Sequence, residues 1–146
     1  MKRILGIDLG DKRTGVAVTD LTGTLAGGLE VIIGDGLNAF AKSVMDIAGR
    51  YDISEIVIGY PVNMNGTIGE SALKTEKFKG KLEKLIKEKE LEITVTLFDE
   101  RLSTALAYVY MNETGIKNKD KKEKVDMLSA QIILQDYIDS KKILQK

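Results

Sequence analysis

The strongest constraint on this chain is a change in its hydrophobic period. Up to residue 33 the apolar residues come in three short β-type runs cut by turn clusters; from residue 37 they recur at helical spacing or in isolated buried runs. Residues 3–9 form an apolar run closed by Asp8 and Gly10, the pattern of a buried strand. Residues 14–19, Thr-Gly-Val-Ala-Val-Thr, follow a turn at Asp11, Lys12 and Arg13, so the two runs read as a hairpin. Residues 24–33, ending in Val31, Ile32 and Ile33, follow a further turn and read as a third antiparallel strand.

Beyond that point strands and helices alternate. Leu37, Phe40, Ala41, Val44, Ile47 and Ala48 share one helical face over residues 37–50. Residues 56–59 read as a short buried strand, 61–69 as a loop. Thr67 and Glu70 have capping-box spacing for a helix running to about residue 89, with Phe78, Leu82, Leu85 and Ile86 as its apolar stripe. Residues 93–98 read as a strand, 103–112 as a helix capped by Ser103, 116–124 as a charged loop, and about 123–139 as the last helix. No repeat, linker or low-complexity stretch divides the chain, so residues 1–146 are expected to form a single domain. The expected architecture is α/β: a mixed five-stranded sheet, three antiparallel strands followed by two parallel ones, with helices on its faces. Sites in such sheets gather at the carboxyl ends of parallel strands.

Composition limits the chemistry. There is no cysteine and no histidine, which removes disulfides, thiol catalysis, thiolate metal sites and the usual general base. Any metal site must be built from oxygen ligands, which suit Mg²⁺ or Mn²⁺. Basic and acidic residues balance at 22 each, so nucleic-acid binding would depend on local patches rather than overall charge. With no tryptophan and only 8 Phe and Tyr residues, base-stacking platforms are poorly supported. The first apolar run stops after four residues at Asp8, too short for a signal-peptide core, and the chain is expected to be cytoplasmic and free of the membrane.

Three acids stand where a purely structural reading does not call for them. Asp8 closes an apolar strand; Glu100 follows Asp99 directly after the strand at 93–98; Asp126 heads a stripe continued by Ala130, Ile133 and Tyr137. Individually each has an ordinary explanation: a turn residue, a surface ion pair, an acid near a helix N-terminus. Together they can converge on one edge of the sheet, where a shared cation would resolve the cost of desolvating them. Lys12 and Arg13 are either phosphate contacts or a solvated hairpin tip. Asn63 and Asn65 lie in a loop before a helix start, open to reading as an anion site or as a turn. The five lysines within residues 117–124 could track a phosphate backbone or simply be solvated.

Four ordered segments carry a resemblance: residues 6–17, Gly-Ile-Asp-Leu-Gly-Asp-Lys-Arg-Thr-Gly-Val-Ala; residues 59–67, Gly-Tyr-Pro-Val-Asn-Met-Asn-Gly-Thr; residues 99–104, Asp-Glu-Arg-Leu-Ser-Thr; and Val125-Asp126 through Ile133, Leu134 and Gln135. In these the chain resembles the YqgF-type family, described as Holliday junction resolvases and as pre-16S rRNA nucleases, over nearly its whole length. The resemblance implies an RNase H-like fold and a phosphodiesterase dependent on two Mg²⁺ or Mn²⁺ ions, with Asp8, Glu100 and Asp126 as catalytic, metal-holding acids. It also implies Lys12, Arg13, Arg101, Asn63 and Asn65 as substrate contacts. Asn65 stands where the family often has Asp, Ser103 where it often has Thr, and Tyr60 where it often has Leu; the loss of charge at Asn65 favours substrate over metal there. RNA is the expected partner rather than branched DNA, with a monomer or homodimer both open. The hairpin at residues 6–15 also looks like that of actin-like ATPases and sugar kinases, which need two such domains. A binding module without catalysis is the remaining alternative, and three intact acids speak against it.

Overall fold

The computed structural model describes residues 3–63, 65–99 and 118–144. Strands β1 (Arg3–Asp8), β2 (Arg13–Thr19) and β3 (Ala26–Ile33) come first. They are followed by helix α1 (Leu37–Arg50), β4 (Ile53–Tyr60), α2 (Glu70–Glu88), β5 (Thr94–Asp99) and α3 (Asn118–Leu144). The sheet order is β3-β2-β1-β4-β5. The β1–β2 and β2–β3 pairs are antiparallel, and the β1–β4 and β4–β5 pairs are parallel, as the change of period predicts. The helix expected at 103–112, with its Tyr108, Tyr110 and Met111, lies outside the described residues.

Strand alternation divides the side chains between two faces. On one, Leu5, Ile7, Val16, Ile56 and Ile58 pack against Phe40, Val44 and Ile47 of α1 and Phe78, Leu82 and Ile86 of α2. These side chains are almost wholly withdrawn from water, each stabilising the fold by about 1.5–3 kcal/mol. The other face is shallow. It offers Gly6, Gly15, Ala17, Gly28 and Val57, and α3 lies across it with Ala130, Ile133, Leu134, Tyr137 and Ile138 buried. A Cβ on Gly6 would come 2.7 Å from the Leu134 Cβ and 3.1 Å from the Ala130 carbonyl oxygen, so the helix sits closer than any larger residue would allow.

Polar contacts hold α3 in register along its length. In the β2–β3 ladder Ala17 faces Gly28 and Val16 faces Glu30, which leaves Leu29 as the extra residue of a bulge. The Gly28 amide next to it donates to Gln131 Oε1 at 3.2 Å, and the Ala26 amide donates to Gln135 Oε1 at 2.8 Å. Further along, Glu55 of β4 accepts from the Tyr137 hydroxyl, from Thr96 Oγ1 at 2.8 Å and from Lys141 Nζ at 3.4 Å. Burial, then the Glu55 carboxylate, pushes the Tyr137 hydroxyl pKa up. The Tyr137 ring also meets Phe98 edge-on, with centroids 5.6 Å apart.

Two local expectations are corrected. The capping box at Thr67 and Glu70 does not form: α2 begins at Glu70 after Gly69, with no side-chain cap. The Thr67 hydroxyl is already committed, donating to Asn65 Oδ1 at 2.7 Å and accepting from Asn63 Nδ2 at 2.9 Å. The last helix begins at Asn118, not near residue 123, and runs to Leu144, not 139. Lysine and glutamate are good helix formers, so the charged stretch from residue 118 to 124 is helical rather than a loop.

Candidate active site

Because β1, β4 and β5 run parallel, their carboxyl ends share one edge of the sheet. Ile7 is level with Ile58 and Tyr60 with Asp99, so Asp8, Tyr60 and Asp99 terminate three adjacent strands along that edge. Asp8 lies on the α3 side by strand alternation and is paired across the ladder with Gly15.

Gly15 is where the helix comes closest to the sheet. A Cβ there would stand 2.0 Å from the Asp126 carbonyl oxygen and 2.6 Å from its carbonyl carbon. The backbone of α3 at Asp126 therefore rests directly on β2, beside the position that faces Asp8. A glycine inside an apolar strand was the available signal, since it marks a bulge or a close backbone approach; the approaching partner, more than a hundred residues away, leaves no local trace. Asp126 also lies more than two turns into α3. Its reading as a first-turn acid at a helix N-terminus therefore falls, because that interaction fades within one turn.

Arg13 opens β2 on the same face. Its Nε donates to Asp126 Oδ2 at 2.8 Å, with 37% of the Arg13 side chain and 23% of the Asp126 side chain exposed. The turn that delivers it is tight: a Cβ on Gly10 would meet the Arg13 carbonyl oxygen at 2.1 Å. Lys12 reaches Asp35 at 3.0 Å across an open surface. Asp11 accepts from Lys74 of α2, and that hydrogen bond, with the lysine's charge, lowers the Asp11 pKa. These two exposed pairs contribute little to stability.

The loop after β4 is organised by its own side chains. Asn65 Oδ1 accepts from the Thr67 amide at 3.1 Å as well as from its hydroxyl, an Asx turn, and Gly66 takes a φ of +86°, which favours glycine. The Asn63 amide donates to the Thr67 carbonyl at 3.0 Å. The side-chain amides of Asn63 and Asn65 are thus engaged inside the loop. Glu100 and Arg101 lie outside the described residues. Among the described residues no three Asp or Glu side chains gather as a metal cage. Asp8 and Asp126 nevertheless suit a hard divalent cation in kind, being oxygen donors, and the Arg13 guanidinium already brings positive charge to Asp126.

The family described as RuvX, Holliday junction resolvase, matches residues 2–140. The chain belongs to the RuvX family. RuvX-family relatives include one from Ruminiclostridium cellulolyticum, 46% identical over 94% of each chain. Another, from Caldanaerobacter subterraneus subsp. tengcongensis, is 40% identical over 96% of this chain and 98% of its own. Both carry the name "Putative pre-16S rRNA nuclease". In fold, the RuvX chain is similar to Thermus thermophilus RuvC in complex with a Holliday junction substrate: TM-score 0.57, 16% identity, 97% of this chain and 96% of that one. It is similar also to the yeast mitochondrial Holliday junction resolvase: TM-score 0.59, 13% identity, 99% of this chain and 80% of that one. The RNase H-like fold expected from the resemblance is thereby borne out. Among the described residues of this RuvX chain, no helix is long and apolar enough to cross a membrane.

Proposed function

We propose that this protein is a nuclease that hydrolyses phosphodiester bonds and trims the 5′ end of precursor 16S rRNA in the cytoplasm. The observation that supports the reading is that Asp8 pairs with Gly15, at the edge where the parallel strands end, and that the α3 backbone at Asp126 rests on that same glycine. The names borne by the relatives support the RNA substrate.

Asp8, Glu100 and Asp126 are the residues that would hold two Mg²⁺ or Mn²⁺ ions. Such ions would supply the activated water and neutralise charge on the leaving oxygen, a role for which no histidine is needed. The chain's own contribution is positioning. Asp8 is fixed by the β1–β2 ladder and Asp126 by the seating of α3 on glycine. Lys12, Arg13 and Arg101 bring positive charge for phosphates, and the loop holding Asn63 and Asn65 lies beyond β4 at the same edge. End trimming needs one active site and is open to a monomer.

The description of the RuvX family supports a second reading, resolution of branched DNA, which requires a symmetric pair of sites. The two are separated by incubating the purified protein with Mn²⁺ and either ribosomal RNA precursor or a four-way DNA junction, with its mass in solution measured alongside. The proposal expects shortening of the RNA and an intact junction. Symmetric cutting of the junction by a dimer, with the RNA untouched, would reverse the assignment.

A further inference from the structure

Arg13 presents a conflict of roles. As a phosphate contact its guanidinium must face nucleic acid; in the structure its Nε lies 2.8 Å from Oδ2 of Asp126, itself a proposed cation ligand. A carboxylate that holds a guanidinium has less charge to offer a divalent ion, and two cations on one carboxylate repel each other. The pair is placed so that the contact can be exchanged. The backbone at Arg13 is fixed, by the tight approach to Gly10 on one side and by pairing with Ile33 in the ladder on the other. Its side chain is more than a third exposed, so a phosphate can reach it from solvent, and its planar fork suits phosphate as well as carboxylate. Lys12 pairs instead with Asp35 on the open surface.

We propose that Arg13 is a substrate-released clamp on Asp126. Without nucleic acid, the guanidinium occupies the carboxylate and weakens cation binding. A backbone phosphate draws Arg13 away and removes the guanidinium's competition for Oδ2, so divalent cation and nucleic acid bind cooperatively, by the same factor in either order. Arg13 is thus a positioning residue acting through Asp126, and the inference rests on Asp126 being a cation ligand.

Calorimetric titration with Mn²⁺ tests this on the full chain, with and without a short phosphorothioate RNA. For a partly exposed pair of this kind, wild-type Mn²⁺ affinity is expected to rise about fivefold when the RNA is present. Arg13→Gln is expected to bind Mn²⁺ about fivefold more tightly than wild type in the absence of RNA, and to lose most of the RNA effect. Arg13→Lys, which keeps the charge but not the fork, is expected to fall between them. A merely structural arginine would give the opposite sign, because its loss would loosen the site. Arg13→Gln binding Mn²⁺ as wild type does, or more weakly, while Asp126→Asn abolishes binding, would overturn the clamp and leave the cation site standing. Wild-type Mn²⁺ binding by Asp126→Asn would overturn the cation site and the clamp with it.

Discussion

Replacing Gly15 with alanine is expected to destabilise the fold by about 3 kcal/mol, at the upper end of what an overpacked site costs, and to abolish most nuclease activity. The added methyl would stand 2.0 Å from the Asp126 carbonyl oxygen, 2.6 Å from the carbonyl carbon and 3.3 Å from the Met127 amide nitrogen. All three are backbone atoms, so no flexible side-chain end is available to move aside. The helix must lift, yet it is held close at Gly6 and tied to the β3 edge through Gln131 and Gln135. Lifting it separates Asp126 from the position opposite Asp8. Gly27→Ala is the control, because a Cβ there meets nothing within 4 Å; it is expected to stay within about 0.5 kcal/mol of wild type. Urea unfolding reads both. A Gly15→Ala protein as stable as the control would show that α3 is not seated as described.

Asp8→Asn has the other large expected effect, on chemistry rather than on stability. The substitution keeps the shape of the side chain and removes the charge at a half-buried strand end, so the fold is expected to persist. A divalent ion held by the proposed acids would supply several kcal/mol of transition-state stabilisation, so its loss is expected to lower the cleavage rate by about a thousandfold. Single-turnover cleavage of the ribosomal RNA precursor gives the rate. Asp126→Asn is expected to act similarly, and the double variant to be little worse than either single one, as follows if the proposed pair of acids acts as a unit. Cleavage by Asp8→Asn within tenfold of wild type would remove Asp8 from the catalytic set.

What the sequence made legible follows from which signals are local. The apolar run of residues 3–9, the β-rich run of 14–19 and the helical stripes of α1 and α2 are properties of adjacent residues, and they indicate the mixed sheet of three antiparallel and two parallel strands that the fold shows. An aspartate at the end of an apolar strand is also visible locally, which is why Asp8 stood out. The charge of residues 116–124 suggests a loop, yet lysine and glutamate are good helix formers, and α3 starts at Asn118. The spacing of Thr67 to Glu70 fits a helix cap, but the Asx turn at Asn65 takes the same hydroxyl. The partners of Gly15 and Arg13 are set by how a distant helix crosses the sheet. No window of sequence contains both residue 15 and residue 126, so the close approach and the 2.8 Å ion pair at Asp126 come from the fold alone.

The central claim is that Asp8 and Asp126 present their carboxylates to a common divalent cation. Diffraction from crystals soaked in Mn²⁺, recorded at a wavelength where manganese scatters anomalously, tests it most directly. The account predicts an anomalous peak about 2.1 Å from carboxylate oxygens of both residues. Crystals that take up manganese elsewhere on the chain, with no peak between these two side chains, would contradict it.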